Sequence, residues 1–137
     1  MANVYDVAKH ILEKMGKVTG MKLQKLCYYS QAWSLVWDEE PLFSNPIKAW
    51  KYGPVCHDLY NLHDGQFIVE ISKDLTSRCE NNLTEKQVET IDAVIRDYGD
   101  FTAQQLSDLT HSEDPWKNAK QNEIISATAM HEFYSSL

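Results

Sequence analysis

The sequence predicts a mainly α-helical domain built around one buried central helix. Three observations carry that prediction. Residues 21–37, MKLQKLCYYSQAWSLVW, hold eleven apolar or aromatic residues with no Gly or Pro. The flanking segments show helical stripes opened by capping residues. Only two short segments, about 47–52 and 67–71, are rich in β-forming residues, and they are expected to pair as a small two-stranded annex leaning on the helices.

Taken in order, Val4, Val7, Ala8, Ile11, Leu12 and Met15 form an amphipathic stripe over residues 3–15, with Asn3 as cap and Gly16 as stop. Val18–Gly20 is a turn, and Thr19 or Gly20 leads into the central helix. There, Leu23, Leu26, Cys27, Trp33 and Trp37 share one stripe, while Tyr28, Tyr29, Ala32, Leu35 and Val36 spread apolar surface round the rest. A helix that is apolar on most sides is packed by several elements. It would run about 25 Å. Lys22, Gln24, Lys25 and Gln31 argue against a membrane span.

Pro41, Pro46, Gly53 and Pro54 rule out a long helix through 41–55. Pro54 suits the first turn of a helix carrying Val55, Leu59 and Leu62 and ending near Asp64–Gly65. Residues 72–83 read as a loop. Thr84 to Gln87 fits a capping box for a helix bearing Val88, Ile91, Val94, Ile95 and Tyr98, and Thr102 to Gln105 repeats it for Leu106 and Leu109. Asp114 before Pro115 reads as the cap of a further turn, and Ser126 as the cap of a last helix with Ala127, Met130, Phe133 and Tyr134. With no repeat, low-complexity tract or long linker, residues 1–137 read as one domain.

The net charge is −7, from 13 basic and 20 acidic residues. Residues 1–60 carry seven Lys against six acids, and 61–137 carry six basic residues against fourteen acids. An acidic half of this kind argues against nucleic-acid binding, which needs clustered cations. Cys27, Cys56 and Cys79 form no CxxC and suit a reducing compartment. MANVYDVAKH lacks the features of a secretion signal, so a cytoplasmic location is expected.

No sequence of a phosphate-binding loop is present, and His131-Glu132 does not continue to HExxH. Cys56, His57 and His63 are too scattered over helix faces for a zinc site. Cys27 or Cys56 with a distant His is a conceivable nucleophile pair, but free cysteines are mostly small buried hydrophobes. Asp38-Glu39-Glu40 is better explained as an exposed acidic loop. The sequence therefore predicts no enzyme, no cofactor and no metal.

Two segments stand out from the scaffold. In Trp50-Lys51-Tyr52-Gly53-Pro54, two large aromatics flank a lysine before a rigid turn. It reads first as a strand-to-helix corner and second as an aromatic anchor for a partner. In Leu109 to Trp116, His111 is placed to bond Glu113 or backbone. A helix-connecting corner is again the plainer reading; an exposed His/Glu/Trp cluster for a partner is the alternative.

With the central helix, these segments carry a family resemblance. KLQKLCYYSQAW (22–33), PLFSNPIKAWKYGPVCHDLY (41–60) and LSDLTHSEDPWKNA (106–119) resemble, in order and approximate spacing, the signature blocks of the Panacea domain, the SocA/GepA-like group of bacterial and phage-associated proteins. Ile124-Ile125 leading to Glu132-Phe133-Tyr134 is similar to the family's last helix. The resemblance implies a small helical antitoxin encoded beside a toxin and neutralising it by direct binding. One relative instead acts as an adaptor that hands its toxin to a protease, and some carry an added DNA-binding region, for which this chain has no room. No catalytic residues follow from the resemblance. The candidate partner-binding residues are Trp50, Lys51, Tyr52, Gly53, His111, Glu113 and Trp116, all in motif blocks that serve folding as readily as recognition. Loops 38–45 and 72–83 are the alternative seats of specificity. The expected partner is a protein toxin, with a protease in the adaptor reading and neither nucleic acid nor membrane. A mobile-element effector that binds a host protein and a small Cys/His enzyme are the remaining alternatives.

Overall fold

A computed structural model describes residues 1–137. The elements run α1 (Val4–Met15), β1 (Val18–Thr19), α2 (Gly20–Trp37), β2 (Ile47–Trp50), β3 (Gly53–Cys56), α3 (His57–His63), β4 (Ile68–Val69), α4 (Lys73–Arg78), α5 (Glu85–Tyr98), α6 (Ala103–Ser112), α7 (Asp114–Lys117) and α8 (Ala127–Ser135). The fold is mainly α, as the sequence predicts. No helix is long and apolar enough to cross a membrane.

Helix α2 is the axis. Every residue from Leu23 to Ala32 is buried, because α1, α5, α6, α8 and β3 cover it from different sides. One core cluster runs from Val4 on α1 to Tyr134 on α8. The helix starts are set locally. Asn3 and Asp6, Thr84 and Gln87, and Thr102 and Gln105 each form a reciprocal capping box. Thr19 and Ser126 cap α2 and α8 with their hydroxyls.

The β structure differs from the expected annex. Segment 47–52 does not pair with 67–71. Instead β2 and β3 form an antiparallel hairpin, Ile47 opposite Cys56 and Trp50 opposite Gly53, joined by Lys51 and Tyr52. Pro54 therefore lies inside a strand, and α3 starts later, at His57. Ile68 and Val69 pair with Thr19 and Val18 of β1. The β-forming character of both segments was real; the partners are set by tertiary packing, which side-chain preference does not encode. Residues 122–125 extend β2 on its other edge: Ala49 N–H donates to Glu123 O, and Ile125 N–H to Ile47 O. Within the expected loop 72–83, α4 forms because Ser72 caps it and Leu75 is drawn into the core.

The acidic loop after α2 is held by side chains of α2 and α5. The Gln31 Oε1 accepts from Leu42 N–H (2.8 Å) and Phe43 N–H (3.3 Å), while its Nε2 donates to Phe43 O (2.8 Å). Ser34 Oγ donates to Glu40 O, and Thr90 Oγ1 to Asp38 Oδ2. Leu42 and Phe43 are thereby buried although their backbone forms no ladder. Replacing Gln31 by Leu should leave these buried backbone groups unpaired and cost about 3 kcal/mol. Urea unfolding of Gln31→Leu is the check: the midpoint should fall with an unchanged slope.

Candidate partner-binding groove

Nearly two turns before Ser30 and Gln31, α2 turns two other polar side chains, Gln24 and Lys25, towards the β2–β3 hairpin. Gln24 works as a backbone clamp. Its Oε1 accepts from Cys56 N–H (2.9 Å) and its Nε2 lies 3.2 Å from Cys56 O. The second amide hydrogen points at His63 Nε2, 3.0 Å away. His63 Nε2 is thus an acceptor and the ring is neutral, in keeping with a pKa lowered mainly by burial.

Lys25 is 1% exposed. Its Nζ donates to Pro54 O at 3.2 Å, and it takes part in none of the chain's ion pairs. Burial without a counter-charge pulls its pKa down to about 8. At pH 7 the amine is still mostly protonated, so a cation sits beneath the hairpin. The turn above it requires glycine at position 53. Gly53 has φ +120°, and a Cβ there would lie 2.5 Å from Lys25 Cε and 2.8 Å from Thr110 Oγ1.

The hairpin is pinned by alternate carbonyls. Trp116 Nε1 donates to Trp50 O (2.8 Å), Ser107 Oγ to Tyr52 O (2.7 Å), and Lys25 to Pro54 O. The two motif segments that the sequence singled out are therefore one structure: α6 and α7 hold the turn that carries Trp50 and Tyr52. The Trp50 ring packs edge-on to Tyr60 at 5.0 Å, and its Nε1 reaches Asn122 Oδ1 at 3.2 Å. Tyr52 and Lys51 are exposed, with the Lys51 ammonium 5.4 Å from the Tyr52 ring centre.

Together these residues enclose a groove of about 600 Å³. Gln24, Lys25 and His63 contribute to it from below, and Trp50, Lys51, Tyr52 and Tyr60 from the hairpin and α3. On the other side of Trp50, a second groove of about 410 Å³ is bounded by Trp116, Lys117 and again Lys51. No Asp or Glu lines either groove, although the chain carries a net charge of −7.

The predicted site residues thus divide. Trp50 and Lys51 line both grooves, Tyr52 the first and Trp116 the second. Gly53 is buried and shapes the turn. His111 and Glu113 line neither. His111 stacks on Trp116, with ring centres 4.0 Å apart, and its buried Nε2 has no partner. Glu113 does not bond His111 and is not part of an exposed cluster. It is 8% exposed, and its Oε1 accepts from Tyr29 (2.7 Å) and Tyr134 (2.8 Å). Burial pushes its carboxyl above the usual range, and the two tyrosine hydrogen bonds pull the other way. Glu113, not Asp114, is also the cap residue of α7, so Pro115 falls one position further in. Sequence reasoning missed Gln24, Lys25, Tyr60 and His63. The available signal was a Gln-Lys pair inside an otherwise apolar helix.

Cys27 is fully enclosed and its thiol is held well above its usual pKa; burial lifts Cys56 to about 11. His57 is exposed while His63 is engaged by Gln24.

A family model described as antitoxin SocA-like, Panacea domain, matches residues 23–117. The match spans α2, the hairpin and the α6–α7 corner. No curated protein and no solved structure matches the chain.

The depressed Lys25 pKa has a definite consequence for stability. A cation whose folded pKa lies below its unfolded value destabilises the fold by the full amount below the folded value, and that penalty is lifted as pH rises to the unfolded one. For Lys25 the window runs from about 10.5 down to about 8. Between pH 7 and pH 10.5 the unfolding free energy of the wild type should rise relative to Lys25→Met by about 3 kcal/mol. Urea titrations of both proteins across that range check it; parallel curves would show that Lys25 titrates normally.

Proposed function

The chain belongs to the Panacea-domain family of SocA-like antitoxins, and from that premise we propose that it neutralises a protein toxin by binding it directly. The family match carries the reading. The groove face supports it: Trp50, Tyr52 and Trp116 are residue types enriched at binding hot spots, and here Trp50 and Tyr52 stand on a turn pinned from three sides, one of the pins being Trp116 itself. A recognition surface built on a rigid support loses little entropy on binding.

A non-catalytic role fits the same picture. Cys27 and Cys56 hold their protons far above neutral pH, so neither is a ready nucleophile. We assign the protein to the cytoplasm, as one domain without metal or cofactor, acting where its partner is made.

The experiment is a growth assay. The gene beside this one is expressed alone and then together with this protein, and surviving cells are counted. Toxicity alone and rescue together are the expected result. Partner levels in the rescued cells then separate occlusion, where the partner persists, from hand-over to a protease, where it disappears. Toxicity without rescue would reject the antitoxin reading.

A further inference from the structure

The groove contains a cation without an anion. Lys25 is the only charged residue among the largest fully buried side chains of the chain. Its single hydrogen bond to Pro54 O leaves two of its three N–H bonds without a protein acceptor. Every ion pair in the protein involves other residues, and no acidic side chain lines the groove. Gln24, the nearest polar neighbour in sequence, is fully used by Cys56 and His63 and offers nothing to the amine.

The surroundings define what would complete it. Lys51 adds a second positive charge on the rim, and Trp50, Tyr52 and Tyr60 supply aromatic surface around the opening. Two lysines in a groove walled by aromatics suit a single acidic group carried on an apolar body. They do not suit a polyanion, which needs a track of cations and would meet the repulsion of a net charge of −7. A buried ammonium paired with a carboxylate also makes a charge-assisted hydrogen bond, about twice as strong as a neutral one.

We infer that this groove receives a carboxylate of the bound protein partner: Lys25 pairs with an Asp or Glu side chain of that partner, and Trp50, Tyr52 and Tyr60 hold the apolar residue beside it. The inference rests on the antitoxin reading for the source of the carboxylate, and on the groove alone for its chemistry.

The test has a probe arm and a partner arm. In the first, 3-phenylpropionate, its amide and inorganic phosphate are titrated against the full chain, following the Trp50 indole and Lys25 methylene resonances by NMR. The acid should bind at least about tenfold more tightly than the amide or phosphate, the step one charge-assisted bond supplies. Lys25→Met should erase the preference for acid over amide, and Tyr52→Ala, at an exposed position, should weaken binding of the acid. Equal binding of acid and amide, phosphate matching the acid, or a preference that survives in Lys25→Met would overturn the carboxylate site. Should Lys25→Met fail to fold, judged by its thermal melt, the acid–amide comparison on the wild type and the Tyr52→Ala titration decide.

In the partner arm, the same variants enter the growth assay. Folded Lys25→Met should lose rescue. Rescue by the wild type with no acid preference in the probe arm would remove this inference and leave the antitoxin reading standing. Acid binding without wild-type rescue would overturn the protein partner as the source. Strong binding of an oligonucleotide in place of the acid would overturn the inference in favour of nucleic acid.

Discussion

A helix covered on all sides has no water to satisfy its polar side chains, and that constraint organises this protein. Helix α2 buries Gln24, Lys25, Ser30, Gln31 and Ser34. Leaving any of these groups unpaired costs on the order of 1–3 kcal/mol. Apart from Ser30, which bonds Leu26 O within the helix, each bonds the backbone of an irregular or edge segment, Lys25 through one of its three N–H groups only. Gln31 takes Leu42 and Phe43, Ser34 takes Glu40, Gln24 takes Cys56, and Lys25 takes Pro54. The polar residues are thus the means by which a helical core holds non-helical chain. They let residues 38–56 follow an extended course across the helix without a large sheet to absorb their backbone groups.

A second polar cluster closes the opposite end of the same scheme. Tyr29 and Tyr134 both donate to Glu113, and the hydroxyls of Tyr28 and Tyr134 lie 3.0 Å apart. Tyr134 has one proton, committed to Glu113, so Tyr28 donates to Tyr134. Burial lifts the pKa of all three phenols well above the usual range, which keeps them protonated donors. Trp33 Nε1 donates to Tyr98, whose ring stacks on Tyr29 with centres 4.2 Å apart. The α6–α7 corner is therefore tied to α2 and α8 through Glu113, while the same corner reaches over to the hairpin through Ser107 and Trp116. Glu113 serves the groove at a distance, by fixing the element that fixes the turn.

The helical part of this arrangement was legible because its causes are local. Periodicity and capping boxes lie within a few residues of one another, and Thr84–Gln87 and Thr102–Gln105 fold as they read. The pairing of the strands was not legible. Ile68–Val69 and Ile47–Trp50 have similar β-forming composition, and their partners depend on which edges α2 leaves open. The hairpin turn carries no Asn-Gly signal either: Lys51 and Tyr52 both keep negative φ, and the positive φ falls on Gly53, inside the next strand. The two motif segments were recognisable as unusual, but their union was not, since Trp116 and Trp50 meet across 66 residues through a side chain and a carbonyl. Lys25 was hidden by the opposite effect. On a helix rich in apolar residues, a lysine reads as the exposed exception, and only the structure shows hairpin chain laid over it.

That hidden lysine also bears on how stability and binding are linked in this fold. A buried charge with one neutral acceptor lowers the stability of the free protein, since part of its desolvation is uncompensated. The cost falls at the floor of a groove, beneath the turn that carries the exposed aromatics. An anion arriving there would restore the missing compensation, and the free energy it returns to Lys25 appears as affinity and, by mass action, as added stability of the folded chain that grows with the anion's concentration relative to Kd. Removing the charge would relieve the free protein and deprive the complex. The groove side of α2 can therefore be less than optimally stable for a physical reason, while the Gln31 clamp and the tyrosine bonds to Glu113 hold the rest of the helix from within the chain.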